Sequence, residues 1–477
     1  MVVLADIVKA NDIRGLVGSQ LDERVARAFG VAFAQVTGVG RGDRLVIGHD
    51  MRDSSPALAA AFGQGAASVG VDVVQLGLCS TDALYYASGA LDAPGAMFTA
   101  SHNPAAWNGM KLCRSGARPV GLDGGLAEVR DIAQALVDAP DWPAAASTAL
   151  TPGTVSDEDI LPGYVRHLRG LVDLAKIRPL RVVVDAGNGM AGLTTPAVLG
   201  TAAGMPELPL EIIPLYFELD GTFPNHEANP LDPANLVDLQ RAVREHGADL
   251  GLAFDGDADR CFVVDEQGEV VTPSEITALV AEREIAKERA LGRTATVIHN
   301  CITSRVVPEV IAECGATAVR TRVGHSFIKP EMARHDAVFG GEHSAHYYFR
   351  DFWFADTGML AALHVLAALG EQPGPLTELV ARFRRYLASG EINSRVPSVA
   401  EATALVEAAF ADRPGVSLDR LDGLTVVHEP GTDGGLWWFN LRPSNTEPLL
   451  RLNAEAADAK TLEALRDEVL ALVRDPS

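Results

Sequence analysis

RLVIGHD at 44–50, PALAAAFGQGAASVG at 56–70 and VDVVQLG at 71–77 set the fold class of this chain. The outer segments are short, apolar and rich in β-branched residues, as buried strands are. The middle segment is dense in alanine, carries its apolar residues at helical spacing and reads as a helix. Strand, helix and strand in succession predict a parallel crossover unit. The same rhythm recurs at RVVVDAGNGMAG (181–192), LEIIPLY (210–216) and DLGLAFDGD (249–257). It returns at TATVIHN (294–300), ATAVRTRV (316–323) and AVFGGEHS (337–344). The expectation is an α/β protein with three similar α/β domains, their sheets mixed but largely parallel.

Beyond GEQPGP (370–375) the pattern changes. A helix is predicted over 376–388, strands in GLWWFNLRP (435–443) and PLLRLNAEA (448–456), and an amphipathic helix over 458–473. That tail reads as a smaller C-terminal α+β domain. The Pro- and Ala-rich stretch 136–153 reads as a linker, and the CFVVDEQGEVV hairpin closes a domain near 268. The expected domains are therefore 1–150, 151–268, 269–373 and 374–477, a division that suits 477 residues.

Composition narrows the function. Hydrophobic residues make up 47% of the chain and charged residues 22%, enough for sizeable cores. There is no run of about 18 apolar residues, so no membrane span is expected. The N-terminus, MVVLADIVKANDIRG, lacks the basic stretch and apolar core of a signal peptide. Five scattered cysteines without a C-x-x-C pair read as reduced thiols, and the expected location is cytoplasmic. A net charge of −23 argues against nucleic acid or an anionic membrane as partner. A phosphorylated substrate would need positive charge that is local.

Four motifs carry chemistry. TASHNP (Thr99 to Pro104) follows the strand-like GAMF, so it sits on a loop at a strand's carboxyl end, where α/β sheets bind ligands. Its serine is expected to be exposed, with His102 and Asn103 able to orient it; a capped Asn-Pro turn is the competing reading. Serine is a weak nucleophile but a good phosphate carrier. DGDADR (Asp255 to Arg260) follows the apolar GLAF. Three aspartates at alternate positions can bend around one hard cation, Mg²⁺ by ligand type, and Arg260 offers a fork to phosphate. A solvated hairpin turn is the alternative. RPSNTEP (Arg442 to Pro448) packs a guanidinium, two hydroxyls and an amide into a phosphate cradle, with Arg451 downstream. In GGEHSAH (Gly340 to His346), Glu342 and Ser344 can bridge vicinal sugar hydroxyls, while His343 and His346 lack a third metal ligand nearby.

These motifs, in this order, resemble the α-D-phosphohexomutase family of bacterial phosphomannomutases and phosphoglucomutases. The resemblance covers nearly the whole chain and takes in NDIRG (11–15), GHDMRDSSP (48–56), NPAAWNGMK (103–111), FPNHEANP (223–230) and VGHSFIK (323–329). It implies four domains around a central active-site cleft. Ser101 matches the phosphorylated serine. Asp255, Asp257 and Asp259 match the magnesium ligands, with a phosphate oxygen on Ser101 completing the site. His102, Arg14 and Arg260 surround that serine, Lys111 lies beside the reacting phosphate, and His325 lies near the sugar. Glu342, Ser344 and His346 match the sugar loop. Arg442, Ser444, Asn445 and Thr446, with Arg451, match the distal phosphate loop.

This chain departs from the family pattern at Asn11, at His49 in place of an arginine, at Ala345 in place of a glycine, and in having no lysine within NCIT (300–303). The reaction implied is mannose 6-phosphate to mannose 1-phosphate, with glucose phosphates also accepted. It runs through phosphoserine and a hexose 1,6-bisphosphate, which also serves as activator. Lys111 or His325 is the general acid or base. Glucose phosphate as the main substrate is the alternative. An aspartyl-phosphate phosphatase with Asp255 as nucleophile, or a silent sugar-phosphate-binding regulator, are the readings from other classes. The oligomeric state is left open.

Overall fold

The computed structural model describes residues 2–140, 142, 151–429, 435–443 and 449–474, with His325 described by its backbone alone. The chain forms two compact units: Met1–Pro273 with Ser344–Leu379, and Ser274–His343 with Val380–Ser477.

In the first unit, strands Asp72–Leu78, Arg44–His49 and Gly95–Phe98 lie parallel, because each is reached by a helical crossover. Trp107–Arg114 then returns antiparallel to Gly95–Phe98 and pairs with Ile13–Leu16. Helices Glu23–Thr37 and Ser55–Ser68 cover one face. They pack so closely that a Cβ on Gly30 would meet the Phe62 carbonyl oxygen at 2.0 Å. Phe33, Phe62 and Phe98 pack in a chain through this core, tilted and then edge-to-face, with centroids 6.0 and 5.5 Å apart. A second sheet has the order Val270–Val271, Cys261–Asp265, Leu250–Phe254, Leu180–Asp185, Leu210–Leu215. Its last three strands are parallel, and the hairpin read from the sequence forms its antiparallel edge. Both parallel sets end in the loops that carry TASHNP and DGDADR.

In the second unit, Thr317–Thr321, Thr296–Asn300 and Phe339–Gly341 are parallel neighbours. The C-terminal sheet is antiparallel: Leu387–Arg395, Leu449–Ala456, Trp437–Pro443, Leu424–His428 and Val416–Asp419. Val406, Phe410, Phe439, Leu465 and Val469 fill its core. Three α/β/α domains and a C-terminal domain, with mixed and then antiparallel sheets, are thus the architecture.

One expected element is corrected. The helix over 376–388 stops early: Leu376–Val380 is α-helical, Ala381–Phe383 a 3₁₀ turn, and Leu387–Arg395 a strand. That strand pairs with Leu449–Ala456, so a distant ladder overrides local helical preference. Just past the 136–153 stretch, Val155–Asp157, which the sequence reading did not single out, adds an edge strand to the first sheet against Asp72–Leu78. Its three residues are all exposed, so no hydrophobic signal announces it. All five cysteines are free thiols, four of them buried.

Candidate active site

The loop Thr99–Pro104 begins where strand Gly95–Phe98 ends, and DGDADR begins where Leu250–Phe254 ends. The two loops touch. A Cβ on Gly256 would meet the Ser101 carbonyl oxygen at 2.4 Å, so only glycine allows the approach. Ser101 is held at φ 51° and Ala258 at φ 61°, both in the left-handed region that costs a side-chain-bearing residue energy.

Ser101 Oγ donates to Asp255 Oδ2 at 2.8 Å and lies 3.2 Å from His102 Nδ1. The serine is 3% exposed, which corrects the exposed loop serine expected from sequence: the metal-type loop packs over it. Arg260 does not present a free fork. Its Nε donates to Asp255 Oδ2 at 2.8 Å and its Nη2 to His102 Nδ1 at 2.6 Å. Since guanidinium only donates, His102 Nδ1 accepts and the ring's proton sits on Nε2. Burial, then Arg260 and Arg14, hold His102 well below the ordinary imidazole range, so it is neutral. Arg14 grips the same loop through the Ala100 carbonyl and Asn103 Oδ1, and its Nε donates to Asp12 at 2.8 Å.

Asp255, Asp257 and Asp259 are all buried, which excludes the solvated-turn alternative. Their oxygens lie within 4.8 Å of one another. Lys111 Nζ bridges Asp257 Oδ2 at 2.7 Å and Asp259 Oδ2 at 2.5 Å. Burial works to discharge the lysine, but Asp257 and Asp259 outweigh it and raise its pKa. Burial pushes Asp255 up to about 6 against the pull of Arg260. At Asp257, burial and Asp259 are overcome by Lys111 and the Thr81 hydroxyl, and its pKa is lowered. One oxygen on each of Asp257 and Asp259, Oδ1, is buried without a hydrogen-bond partner. A hard cation would satisfy both atoms, so the donor set fits a divalent metal.

The sugar-loop residues divide between the units. In the first, Ser344 Oγ is 2.9 Å from His346 Nδ1, and His346 Nε2 is 3.7 Å from Asp259 Oδ1. Arg260 and His346 form an antiparallel bridge that fastens this loop to DGDADR. In the second unit, buried Glu342 accepts from Asn300 Nδ2 at 3.2 Å and from the Gly324 amide at 2.9 Å. Arg442 and Arg451 are register partners on adjacent strands, and both guanidiniums reach Glu391, at 3.4 and 3.3 Å. Ser444, Asn445, Thr446 and the His325 side chain lie outside the described residues.

Four site residues received no role from the sequence. Asp356 joins Asp259 and His346 in a second group of ligand-type atoms. Thr81 donates its hydroxyl to Asp257 Oδ2 at 2.6 Å and its amide to the Asp257 carbonyl at 3.1 Å. Asp82 accepts from Tyr164 at 2.6 Å, from Thr357 at 2.7 Å and from Ser80. Arg52 donates to backbone carbonyls of the serine loop, among them that of Ser101 at 2.9 Å. Only Arg52 and Asp356 lay in stretches that the family pattern drew attention to; Thr81 and Asp82 open an ordinary-looking helix, Thr81–Ala90.

A buried serine set against three aspartates, amid lysine and arginine, at the carboxyl ends of parallel strands defines a phosphoryl-transferring α/β enzyme. Four family models of phosphoglucomutase/phosphomannomutase match the chain: α/β/α domain I over residues 5–135, domain II over 162–268, domain III over 272–386 and the C-terminal domain over 391–472. The protein belongs to this family, the α-D-phosphohexomutases, and is an isomerase-class enzyme that shifts phosphate within its substrate. It is 41% identical over 469 residues to the phosphohexose mutases of Xanthomonas campestris pv. campestris, covering 98% of each chain. It is 40% identical over 468 residues to the phosphomannomutase of Salmonella montevideo, again covering 98% of each. A phosphoglucomutase/phosphomannomutase family protein from Burkholderia thailandensis superposes with a TM-score of 0.82 at 30% identity, covering 99% of this chain and 98% of the other. Among the described residues no helix is long and apolar enough to cross a membrane.

Proposed function

We propose that this enzyme interconverts mannose 6-phosphate and mannose 1-phosphate, with glucose phosphates as secondary substrates, through a phosphoserine at Ser101. The observation that carries the reading is the 2.8 Å bond from Ser101 Oγ to Asp255, which joins the carrier loop to the acidic loop. In one half-reaction the P–O bond to Ser101 breaks and a P–O bond to the free sugar hydroxyl forms. The hydroxyl's proton passes to a base, and Ser101 regains a proton. The resulting hexose 1,6-bisphosphate turns end for end and returns its other phosphate to Ser101; added bisphosphate acts as activator for the same reason.

Asp255, Asp257 and Asp259, with an oxygen of the phosphoserine, would hold Mg²⁺. Bound there, Mg²⁺ supplies positive charge against the transferring phosphoryl oxygens. Lys111 adds a fixed cation. Its two aspartate partners keep it protonated, so it suits charge stabilisation better than proton abstraction. That shifts the base role toward histidine: His325, which the family resemblance places near the sugar, or His346, which lies beside Asp259. Glu342, Ser344 and His346 read the sugar. Arg442, Ser444, Asn445, Thr446 and Arg451 hold the phosphate that is not reacting. Hexose phosphates are thus the partners, and a cytoplasmic location suits them.

The mannose preference follows the relatives named phosphomannomutase. Mannose and glucose differ only at C2, and one pocket must hold the sugar both ways round, so discrimination should be only about 10–200-fold in kcat/KM. The phosphatase alternative needs a free Asp255 nucleophile, yet that carboxylate is engaged by Ser101 and Arg260. Priming the pure protein with hexose 1,6-bisphosphate and mapping the phosphopeptide tests the reading. One acid-stable phosphate on Ser101, with mannose 1-phosphate turned over, is expected. Phosphate on Asp255, or full activity in Ser101→Ala, would overturn it.

A further inference from the structure

GHDMRDSSP (48–56) supplies none of the metal, sugar or phosphate groups above, yet both terminal nitrogens of its arginine are spent on the backbone of the serine loop and the strand after it. Arg52 is 2% exposed. Its Nη1 donates to the carbonyls of Pro104 and Trp107, each at 3.0 Å. Its Nη2 donates to the carbonyls of Ser101 at 2.9 Å and Asn103 at 2.7 Å. The Nε edge faces Asp50 Oδ2 at 3.3 Å. Asp50 is fixed in turn: it accepts from the Arg52 amide at 3.0 Å and the Ser55 hydroxyl at 2.6 Å, while its own amide donates to Phe98 at 2.9 Å. The Phe223 ring closes over the guanidinium, with Cζ 5.0 Å from its centroid.

The segment from Thr99 to Ala106 lies between strands and has no ladder of its own. Arg52 donates to three of its carbonyls, those of Ser101, Asn103 and Pro104, and to that of Trp107 at the start of the next strand. The Pro104 carbonyl also accepts from the Trp107 amide at 3.0 Å, so removing Arg52 takes the donor from the other three, and an unpaired buried carbonyl is costly. A planar, five-donor fork satisfies all four at once and fixes them relative to one another. An ammonium, with three donors and no plane, does neither. The fork touches the carbonyl of Ser101 and not its Oγ, so it takes no part in bond making. It does hold the residue that sits at a strained φ of 51°.

We propose that Arg52 is a positioning residue for phosphoryl transfer: the guanidinium is the template on which the Ser101–Trp107 loop folds. It aims Ser101 Oγ so that the sugar hydroxyl, and not water, takes the phosphoryl group. This rests on Ser101 as the phosphoryl carrier.

The test uses Arg52→Lys, which keeps the charge and loses the fork. Wild type and variant are phosphorylated with labelled hexose 1,6-bisphosphate and chased with hexose 1-phosphate or with buffer alone. Misplacing a reacting group by about 1 Å costs on the order of 100-fold, so kcat should fall by about that factor with KM nearly unchanged, and the ratio of transfer to hydrolysis should fall by about tenfold or more. A folded Arg52→Lys with wild-type kcat and partition ratio overturns the proposal. Should that variant fail to fold, Asp50→Asn loosens the same fork from its anchor; a smaller loss in the same ratio supports the proposal, and an unchanged ratio overturns it. A wild-type protein that takes no phosphate on Ser101 would instead remove the carrier assignment on which this rests.

Discussion

Replacing Thr81 by valine removes one hydroxyl and keeps the shape of the side chain. Thr81 is fully buried, and its hydroxyl donates to Asp257 Oδ2 at 2.6 Å. The backbone bond from the Thr81 amide to the Asp257 carbonyl, 3.1 Å, survives the change. What is lost is a hydrogen bond to a buried carboxylate, about 1.5–3 kcal/mol. Its consequence for metal binding follows from which oxygen it engages. Thr81 and Lys111 both hold Oδ2, leaving Oδ1 without a partner and turned to a single use. Without the hydroxyl the carboxylate can rotate, and its unpartnered oxygen no longer points one way. Partners of this kind tune metal affinity by roughly 10–100-fold, so Thr81→Val should weaken Mg²⁺ by about tenfold. Isothermal titration with Mg²⁺, or Mn²⁺ titration followed by electron paramagnetic resonance, reads this without reference to turnover. Affinity within a factor of about two of wild type, in a variant that has nevertheless lost stability, would mean that Thr81 only supports the fold and does not orient a ligand.

Two further outcomes follow. Burial raises the Asp82 carboxyl to about 6, above the 3.8 of a free aspartate, so the native state binds its proton more tightly than the unfolded chain does. Stability from this group is therefore full below about pH 4 and lost as pH rises toward 6, and Asp82→Asn should compare better with wild type at pH 7 than at pH 4.5 in thermal melts; a pH-independent difference contradicts it. Arg442→Ala removes a charge-assisted phosphate contact of roughly 1.5–3 kcal/mol, so KM should rise and turnover should depend more on added hexose 1,6-bisphosphate, with unchanged dependence refuting the assigned grip.

The fold was legible because its signals are local. Apolar β-branched runs and alanine-rich helices placed strands such as Arg44–His49 and Leu250–Phe254 to within a residue or two. Where pairing partners are far apart in sequence, local preference failed: Leu387–Arg395 is a strand because Leu449–Ala456 lies beside it. The candidate-site motifs were legible for a similar reason, since TASHNP and DGDADR each hold their chemistry-bearing residues within six positions.

The sequence by itself determined the domain classes, the carrier serine as a candidate and the three aspartates as a potential metal set. Only the tertiary structure decided how those groups are held. It showed Ser101 buried, Arg260 committed to Asp255 and His102, and Lys111 pinned between two aspartates. It also brought in Arg52, Thr81, Asp82 and Asp356. The physical reason is range: a motif is written in neighbouring residues, whereas a buried charge takes its state from whatever the fold sets against it. Arg52 lies 49 positions from Ser101, and Thr81 lies 176 from Asp257. No periodicity or spacing rule spans such gaps; neighbouring strands within one sheet bring the first pair together, and the meeting of loops from two sheets brings the second.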